Sequence, residues 1–220
     1  MLPTDAADAY SFIAHQYDRL LGPFLDGLRR TGLDLCPPQP GWTVLDVGCG
    51  TGAQLELYQQ AGCAVAGIEA SSAMAQVARR RLGAHAALEL ADASRMPFAP
   101  ASFDLALASM MLHELDAGTR AAILDETARV LRPGGRLLVI DYHPGPLRIP
   151  TGWLVRPFVL AAERLAGREH YRNHLAFLAA GGMPALAGPC GFAIDRARVG
   201  RGGTFGVYLL ARSATSARAS

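Results

Sequence analysis

The chain has 220 residues, half of them apolar and 18% charged, which suits one domain with a substantial core and argues against a chain disordered as a whole. Its 21 basic residues, all arginine, stand against 19 acidic ones; this +2 balance, with no basic run, argues against an obligate nucleic-acid partner. The lack of lysine removes Schiff-base and lysine-nucleophile chemistry.

Residues 6–35 carry Phe12, Ile13, Tyr17, Leu20, Leu21, Phe24, Leu25 and Leu28 at helical spacing. Gly22-Pro23 is expected to split them into two helices. CPPQPG at 36–41 fits neither helix nor central strand and ends this N-terminal cap. An alternation follows. TVLDV (43–47) reads as a strand, AQLELYQQAG (53–62) as a helix, AVAGIE (64–69) as a strand, and SAMAQVARRRLG (72–83) as a helix capped by Ser71 or Ser72. ALELAD (87–92) and FDLALAS (103–109) read as strands, TRAAILDETARVLRPGG (119–135) as a helix stopped by Pro133 and two glycines, and RLLVID (136–141) as a strand. The rhythm then breaks through 142–185, with Pro144, Pro146, Pro150 and Pro157, a helix over about 157–166 and a histidine-rich stretch. FAIDRARV (192–199) and TFGVYLLA (204–211) flank GRGG, a hairpin signal, and a small polar tail ends the chain. The fold class is therefore α/β: a doubly wound, Rossmann-like sheet of seven strands, mostly parallel with an antiparallel C-terminal strand pair, and helices on both faces.

The four cysteines, Cys36, Cys49, Cys63 and Cys190, form no C-x-x-C pair, so neither zinc binding nor thioredoxin-type chemistry is suggested. The start of the chain lacks a basic then apolar leader, and no run reaches about 18 apolar residues. The expectation is a cytoplasmic protein with free thiols and no transmembrane segment.

The strongest motif is VLDVGCGTG at 44–52, a buried strand, a glycine-rich turn and a helix start. Gly48, Gly50 and Gly52 let the backbone turn tightly and approach a ligand, and the helix start offers N–H groups. Gly48, Gly50 and Ala53 also satisfy a dinucleotide fingerprint, so the loop alone does not choose. Three strand ends separate the candidates. A carboxylate at Asp46, just before the glycines, suits a cationic amino group and repels pyrophosphate. Glu69, ending the next strand, can accept both hydroxyls of a ribose. Asp92, after the third, can take an adenine amino group beside the Ala93 amide. Together they describe a nucleoside that carries an amino acid.

VLDVGCGTG, AGIEAS, ADASRMPF, SFDLALASMMLHEL and VLRPGGRLLVID, as an ordered series over about residues 41–141, resemble the successive motifs of class I S-adenosylmethionine-dependent methyltransferases, and within them the ubiquinone/menaquinone-biosynthesis C-methyltransferase-like group. The resemblance implies S-adenosylmethionine as cofactor. Asp46 with the Gly48, Cys49 and Gly50 loop would hold its methionine end, and Cys49 would turn into the fold. Glu69 would bind the ribose, Ala70 and Met74 would pack on the adenine, Asp92 and Ala93 would read its edge, and Ser109 would lie beside the sulfonium. Tyr17 resembles an N-terminal tyrosine that closes over the cofactor; a packing role competes. It also implies a single methyltransferase domain over 1–212, made of a helical cap (1–40), a cofactor core (41–141), a substrate insertion (142–185) and C-terminal strands (186–212), with 213–220 as a disordered tail.

The expected reaction is methyl transfer to a small apolar or aromatic molecule; a non-catalytic S-adenosylmethionine-binding or interaction protein on the same fold is the alternative, and a dinucleotide oxidoreductase comes third. Any general base is best sought in His113, four residues after the fourth strand. His170 and His174, at i and i+4, share a helix face and with Tyr171 are expected to line the acceptor pocket. With His143 they could form a metal triad, but no carboxylate is fixed to complete it, and no metal is expected. WLVRPFVLAAERLAG carries three competing readings: a core helix, a lid over an apolar acceptor, or a weak membrane-surface element.

Overall fold

The computed structural model describes residues 17–213. The expected tail beyond Ser213 and the start of the N-terminal cap lie outside the described residues. The chain forms helix α1 (Tyr17–Leu35), strand β1 (Thr43–Val47), α2 (Ala53–Gln60), β2 (Ala64–Glu69), α3 (Ser72–Leu82), β3 (Ala87–Leu90) and β4 (Phe103–Ser109). It continues with α4 (Ala117–Val130), β5 (Leu131–Tyr142), α5 (Thr151–Leu165), α6 (Arg168–Ala179), α7 (Gly182–Leu186) and the hairpin β6 (Phe192–Gly200) and β7 (Phe205–Arg212). The seven strands form one sheet in the order β3-β2-β1-β4-β5-β7-β6. The first five are parallel, while β7 runs antiparallel to β5 and to β6.

The central strands are short apolar runs because both faces are covered. Val44, Leu45, Val47, Leu105, Ala106, Leu107 and Leu137–Ile140 are all buried. α3 starts where Ser71 accepts a hydrogen bond from the Met74 amide, and α4 starts where Asp116 accepts from Gly118 and Thr119.

Several elements differ from the sequence reading: α5 starts at Thr151, six residues before the expected helix, and runs through Pro157, and β3 ends at Leu90, two residues before Asp92. α1 runs unbroken through Gly22-Pro23. The proline forfeits one helical hydrogen bond, a cost of ~3 kcal/mol, whereas burying Leu25, Leu28 and Leu35 returns roughly 1.5–3 kcal/mol each. The helix expected over 119–135 starts two residues earlier and ends at Val130. Leu131 is already extended (φ −72°, ψ 136°), one residue ahead of Arg132, whose own helical backbone is disfavoured by Pro133. Leu131 pairs with Phe103 and, after a bulge, Arg136 pairs with Leu105.

Gly67, in the middle of β2, makes room for the glycine loop of the next layer. A Cβ there would stand 2.8 Å from Cys49 Sγ and 2.8 Å from Leu88 Cδ2. Gly67→Ala is expected to lower stability by ~1–3 kcal/mol through overpacking, read from the denaturant midpoint; an unchanged midpoint would show that Cys49 can move aside.

Candidate active site

β1 and β4 are neighbours from which the chain crosses in opposite directions, to β2 on one side and β5 on the other. A crevice must open at the carboxyl ends of such a pair, because the connections leave on opposite faces. A cavity of about 280 Å³ lies there. Asp46, Gly48, Cys49, Gly50, Glu69, Ala70, Met74, Asp92, Ala93 and Ser109 all line it, as do Leu25 and Arg29 of α1. Tyr17 opens α1, but its side chain lies outside the described residues.

The loop after β1 is folded by its own hydrogen bonds. Gly48 and Gly50 adopt φ of +68° and +54°, backbone that favours glycine. The amides of Gly48 and Cys49 both donate to the Ile68 carbonyl, Gly50 donates to Glu69 Oε2 (2.9 Å), and Gly52 donates to the Cys49 carbonyl. These four donors are therefore spent inside the protein and do not form an anion cradle. The second oxygen of Glu69 accepts from the Ser71 amide at 2.8 Å. Burial raises the Glu69 carboxyl, while the amides of Ser71, Gly50 and Ala70 pull it down. The thiol of Cys49 is turned inward, and burial pushes its pKa up further, with Asp46 and Glu69 adding to the effect.

Asp46 is 1% exposed and its Oδ1 has no hydrogen-bond partner; both amide atoms of Gln54, on the same wall, are likewise unpaired. Burial pushes the Asp46 carboxyl up to about 8, against the pull of Arg29 and with a further push from Glu69. Buried polar atoms left without partners are costly, and these belong to residues that line a cavity a polar ligand can fill. Met110, Met111, Leu115 and Ile123 give the cavity an apolar stretch, interrupted by Glu114 and Thr119. Met110 holds a left-handed backbone (φ +55°) at the end of β4, fixed by its amide bond to the Ile140 carbonyl at 2.7 Å. The cap is pinned over the loop by Asp18, which accepts from Thr51 Oγ1 (2.9 Å) and from Arg81 (2.6 Å).

The residues expected to hold the acceptor sit elsewhere. Among the described residues, none from 142–185 lines the cavity. His113 is 2% exposed and lies behind the wall formed by its neighbour Glu114. Its Nδ1 bonds Asp141 Oδ1 at 2.7 Å, and its Nε2 faces Glu163 at 3.6 Å and Glu114 at 4.0 Å. Burial works against its charge, but Asp141, Glu114 and Glu163 outweigh this and push it up to about 9. A base must face the acceptor; this ring faces a buried cluster instead. His170 and His174 do share a face of α6, but it turns inward onto His113, with ring centroids 5.6 Å and 5.7 Å away. Glu163 draws them there, accepting from Tyr142 Oη (2.7 Å) and pairing with His170 Nε2 (2.6 Å). Burial raises its carboxyl, but His170, His113 and Tyr142 together hold it down to about 2. Tyr171 stacks with Arg164 at 5.8 Å, and His143 bonds Tyr208 at 2.6 Å, apart from the other three histidines.

Three members of this cluster, Asp141, Tyr142 and Glu163, were not singled out from sequence. Asp141 is a fourth acidic strand end, a signal available in RLLVID (136–141), whereas Glu163 meets the histidines only through the packing of α5 on α6. α5 itself buries Val159 and Glu163 but leaves Trp153 65% and Leu165 89% exposed, so it is not simply a core helix. No helix among the described residues is long and apolar enough to cross a membrane.

A family model described as a methyltransferase domain matches residues 45–139. A demethylmenaquinone methyltransferase from Renibacterium salmoninarum is 34% identical over 182 residues, covering 79% of this chain and 76% of that protein. The methyltransferase GfsG from Streptomyces halstedii is 41% identical over 155 residues, covering 66% of this chain and 54% of its own. Among solved structures, an S-adenosylmethionine-dependent methyltransferase from Mesorhizobium loti superposes with a TM-score of 0.62 at 20% identity, covering 86% of this chain and 100% of that one. That likeness carries the fold; the sequence relatives carry the family. With the seven-stranded sheet, the glycine loop and the acidic strand ends in place, the chain belongs to the class I S-adenosylmethionine-dependent methyltransferases and is an enzyme of that class.

Proposed function

We propose that the cavity between β1 and β4 holds S-adenosylmethionine through the residues that line it, and that the acceptor is a small apolar or aromatic molecule, with a quinone-type ring as the favoured case. The observation that carries the cofactor assignment is the unpaired, buried Asp46 Oδ1 beside a glycine loop in which the Gly48, Cys49, Gly50 and Gly52 amides are already spent. Such a site offers negative charge and carbonyls to a cation and has little to offer a pyrophosphate. Asp46 and Gln54 take the polar groups of the methionine end. Glu69 keeps lone pairs for the ribose hydroxyls, since each of its oxygens accepts one backbone amide. Asp92 and Ala93 meet the adenine edge, with Ala70 and Met74 against its face. Ser109 and Met110, at the end of β4, stand where methyl donor and acceptor meet.

Bound S-adenosylmethionine supplies a methyl already activated on a sulfonium. The chain's share is therefore alignment and exclusion of water. Leu25 from the cap and Met110 and Met111 from the turn after β4 give the acceptor an apolar bed, and Arg29 is the cation at its edge. The name of one relative, demethylmenaquinone methyltransferase, agrees with a quinone-type acceptor. The exposed Ile149, Trp153, Leu154 and Leu165 give a lipid-borne acceptor an apolar face by which to approach.

The acceptor assignment is tested with labelled S-adenosylmethionine and a panel of a demethylated naphthoquinol, simple phenols and polar amines. Label is expected on the quinol or phenols; transfer to the polar amines alone would overturn it. Asp46 sets the pH dependence of cofactor binding. An ammonium ligand favours the ionised carboxylate, so binding to a group that titrates near 8 expels a proton. Affinity for S-adenosylhomocysteine should rise with pH towards about 8, by up to about tenfold per unit. Calorimetry in two buffers of different ionisation heat reads the proton release, and Asp46→Asn should flatten the profile; a flat wild-type profile would remove Asp46 from the ammonium site. Glu69→Ala is expected to weaken the same ligand by ~2–3 kcal/mol, and binding equal to wild type would refute the ribose assignment.

A further inference from the structure

The buried histidine cluster behind the cavity wall has the makings of a second site. His113 Nε2, Glu163 Oε2 and His174 Nδ1 all lie within 4.8 Å of one another. From Glu163 Oε2 the distances are 3.6 Å to His113 Nε2 and 3.8 Å to His174 Nδ1. Ligands about 2.1 Å from one ion, at tetrahedral or octahedral angles, stand roughly 3.0–3.4 Å apart. The two Glu163 distances lie within a few tenths of an ångström of that range, and the two imidazole nitrogens are within 4.8 Å of each other.

His174 supplies the independent observation. It is 0% exposed, its Nδ1 faces Glu163, and neither ring nitrogen has a hydrogen-bond partner. A hydrogen-bonded network alone leaves that ring unsatisfied; an ion satisfies its Nδ1. The other two atoms are oriented from behind. Asp141, fixed by the amides of Leu112, His113 and Tyr142, engages His113 Nδ1 at 2.7 Å and leaves Nε2 for the cluster. Tyr142 Oη donates to Glu163 Oε1, and His170 Nε2 holds Oε2. A carboxylate behind a histidine and hydrogen bonds behind a carboxylate are how metal ligands are commonly held. Asp141, Glu163 and, at 4.0 Å from His113 Nε2, Glu114 surround the cluster with negative charge that favours a cation.

We propose that His113, Glu163 and His174 bind one divalent first-row transition-metal ion, oriented by Asp141, Tyr142 and His170. Two imidazoles and one carboxylate suit such ions and leave coordination positions open. The ion joins α5 and α6 to the turn after β4, whose next residue, Glu114, forms part of the cofactor wall.

The full chain, stripped with a chelator, is titrated with Zn(II) by calorimetry and with Co(II) by visible absorption. One equivalent per chain is expected, with d–d bands of nitrogen and oxygen ligation. Glu163→Gln and His174→Gln should each weaken binding about 100-fold or more. His85→Ala, at an exposed histidine outside the cluster, should bind as wild type. Far-UV circular dichroism checks each fold; should His174→Gln not fold, the wild-type Co(II) spectrum and Glu163→Gln decide. No stoichiometric binding by wild type, or equal binding by a folded Glu163→Gln variant, overturns the site.

Discussion

The reversal of strand order between β1 and β4 is the constraint from which the functional architecture follows. Parallel strands need crossover connections, and those connections keep one hand. The chain leaving β1 must therefore pack on one face and the chain leaving β4 on the other. Nothing in the sheet can fill the gap above their ends. The segments after those strands, the glycine loop and the Met110–Glu114 turn, become its walls, and α1 is the element left to cover it. Asp46 and Ser109 owe their place to this reversal and not to any local preference.

A second constraint fixes the far wall. Asp141 ends β5 wholly buried, where an isolated carboxylate would be strongly unfavourable. It is compensated by three backbone amides and the His113 ring. Because two of those amides belong to Leu112 and His113, the carboxylate on one strand holds the turn that follows its neighbour. That turn also carries Met110 in a left-handed backbone that a residue with a side chain seldom adopts. Satisfaction of a buried charge offsets local strain, and the result is a rigid edge on the cavity.

The parts of this molecule that could be read from sequence are those whose physics is local. Strands buried on both faces show as short apolar runs, and the glycine loop shows because tight turns require glycine. The acidic strand ends were legible because a carboxylate at the end of an apolar run has few structural reasons to be there. The end of α4 was misplaced by one turn, since Pro133 acts through the residue before it. Gly22-Pro23 failed as a break because burial of leucines further along outweighs a local penalty. The histidine pair on α6 was visible at i and i+4, but which way it faces depends on Glu163 and Tyr142, partners from other elements. His113 is the clearest case. Its position after β4 suggested a base beside the acceptor, whereas the carboxylates of β5 and α5 draw the ring into the interior.

The result is two environments, separated by little more than the turn after β4, with opposite chemistry. In the cavity, carboxylates are arranged so that their charge is met by something from outside: Asp46 has no internal partner for Oδ1, and Glu69 retains acceptor capacity. Behind the wall, carboxylates are met from inside, by backbone amides, a phenol and imidazoles. An unpaired buried polar atom is costly, and where several of them line one cavity, as Asp46 and Gln54 do, they point to binding. The same reasoning sets His174 apart among the cluster's histidines: it alone is wholly buried, faces a carboxylate, and has no partner for either nitrogen. Unsatisfied buried atoms thus mark both sites, and the donor types around them, carboxylate with amide in one and imidazole with carboxylate in the other, decide what each is built to receive.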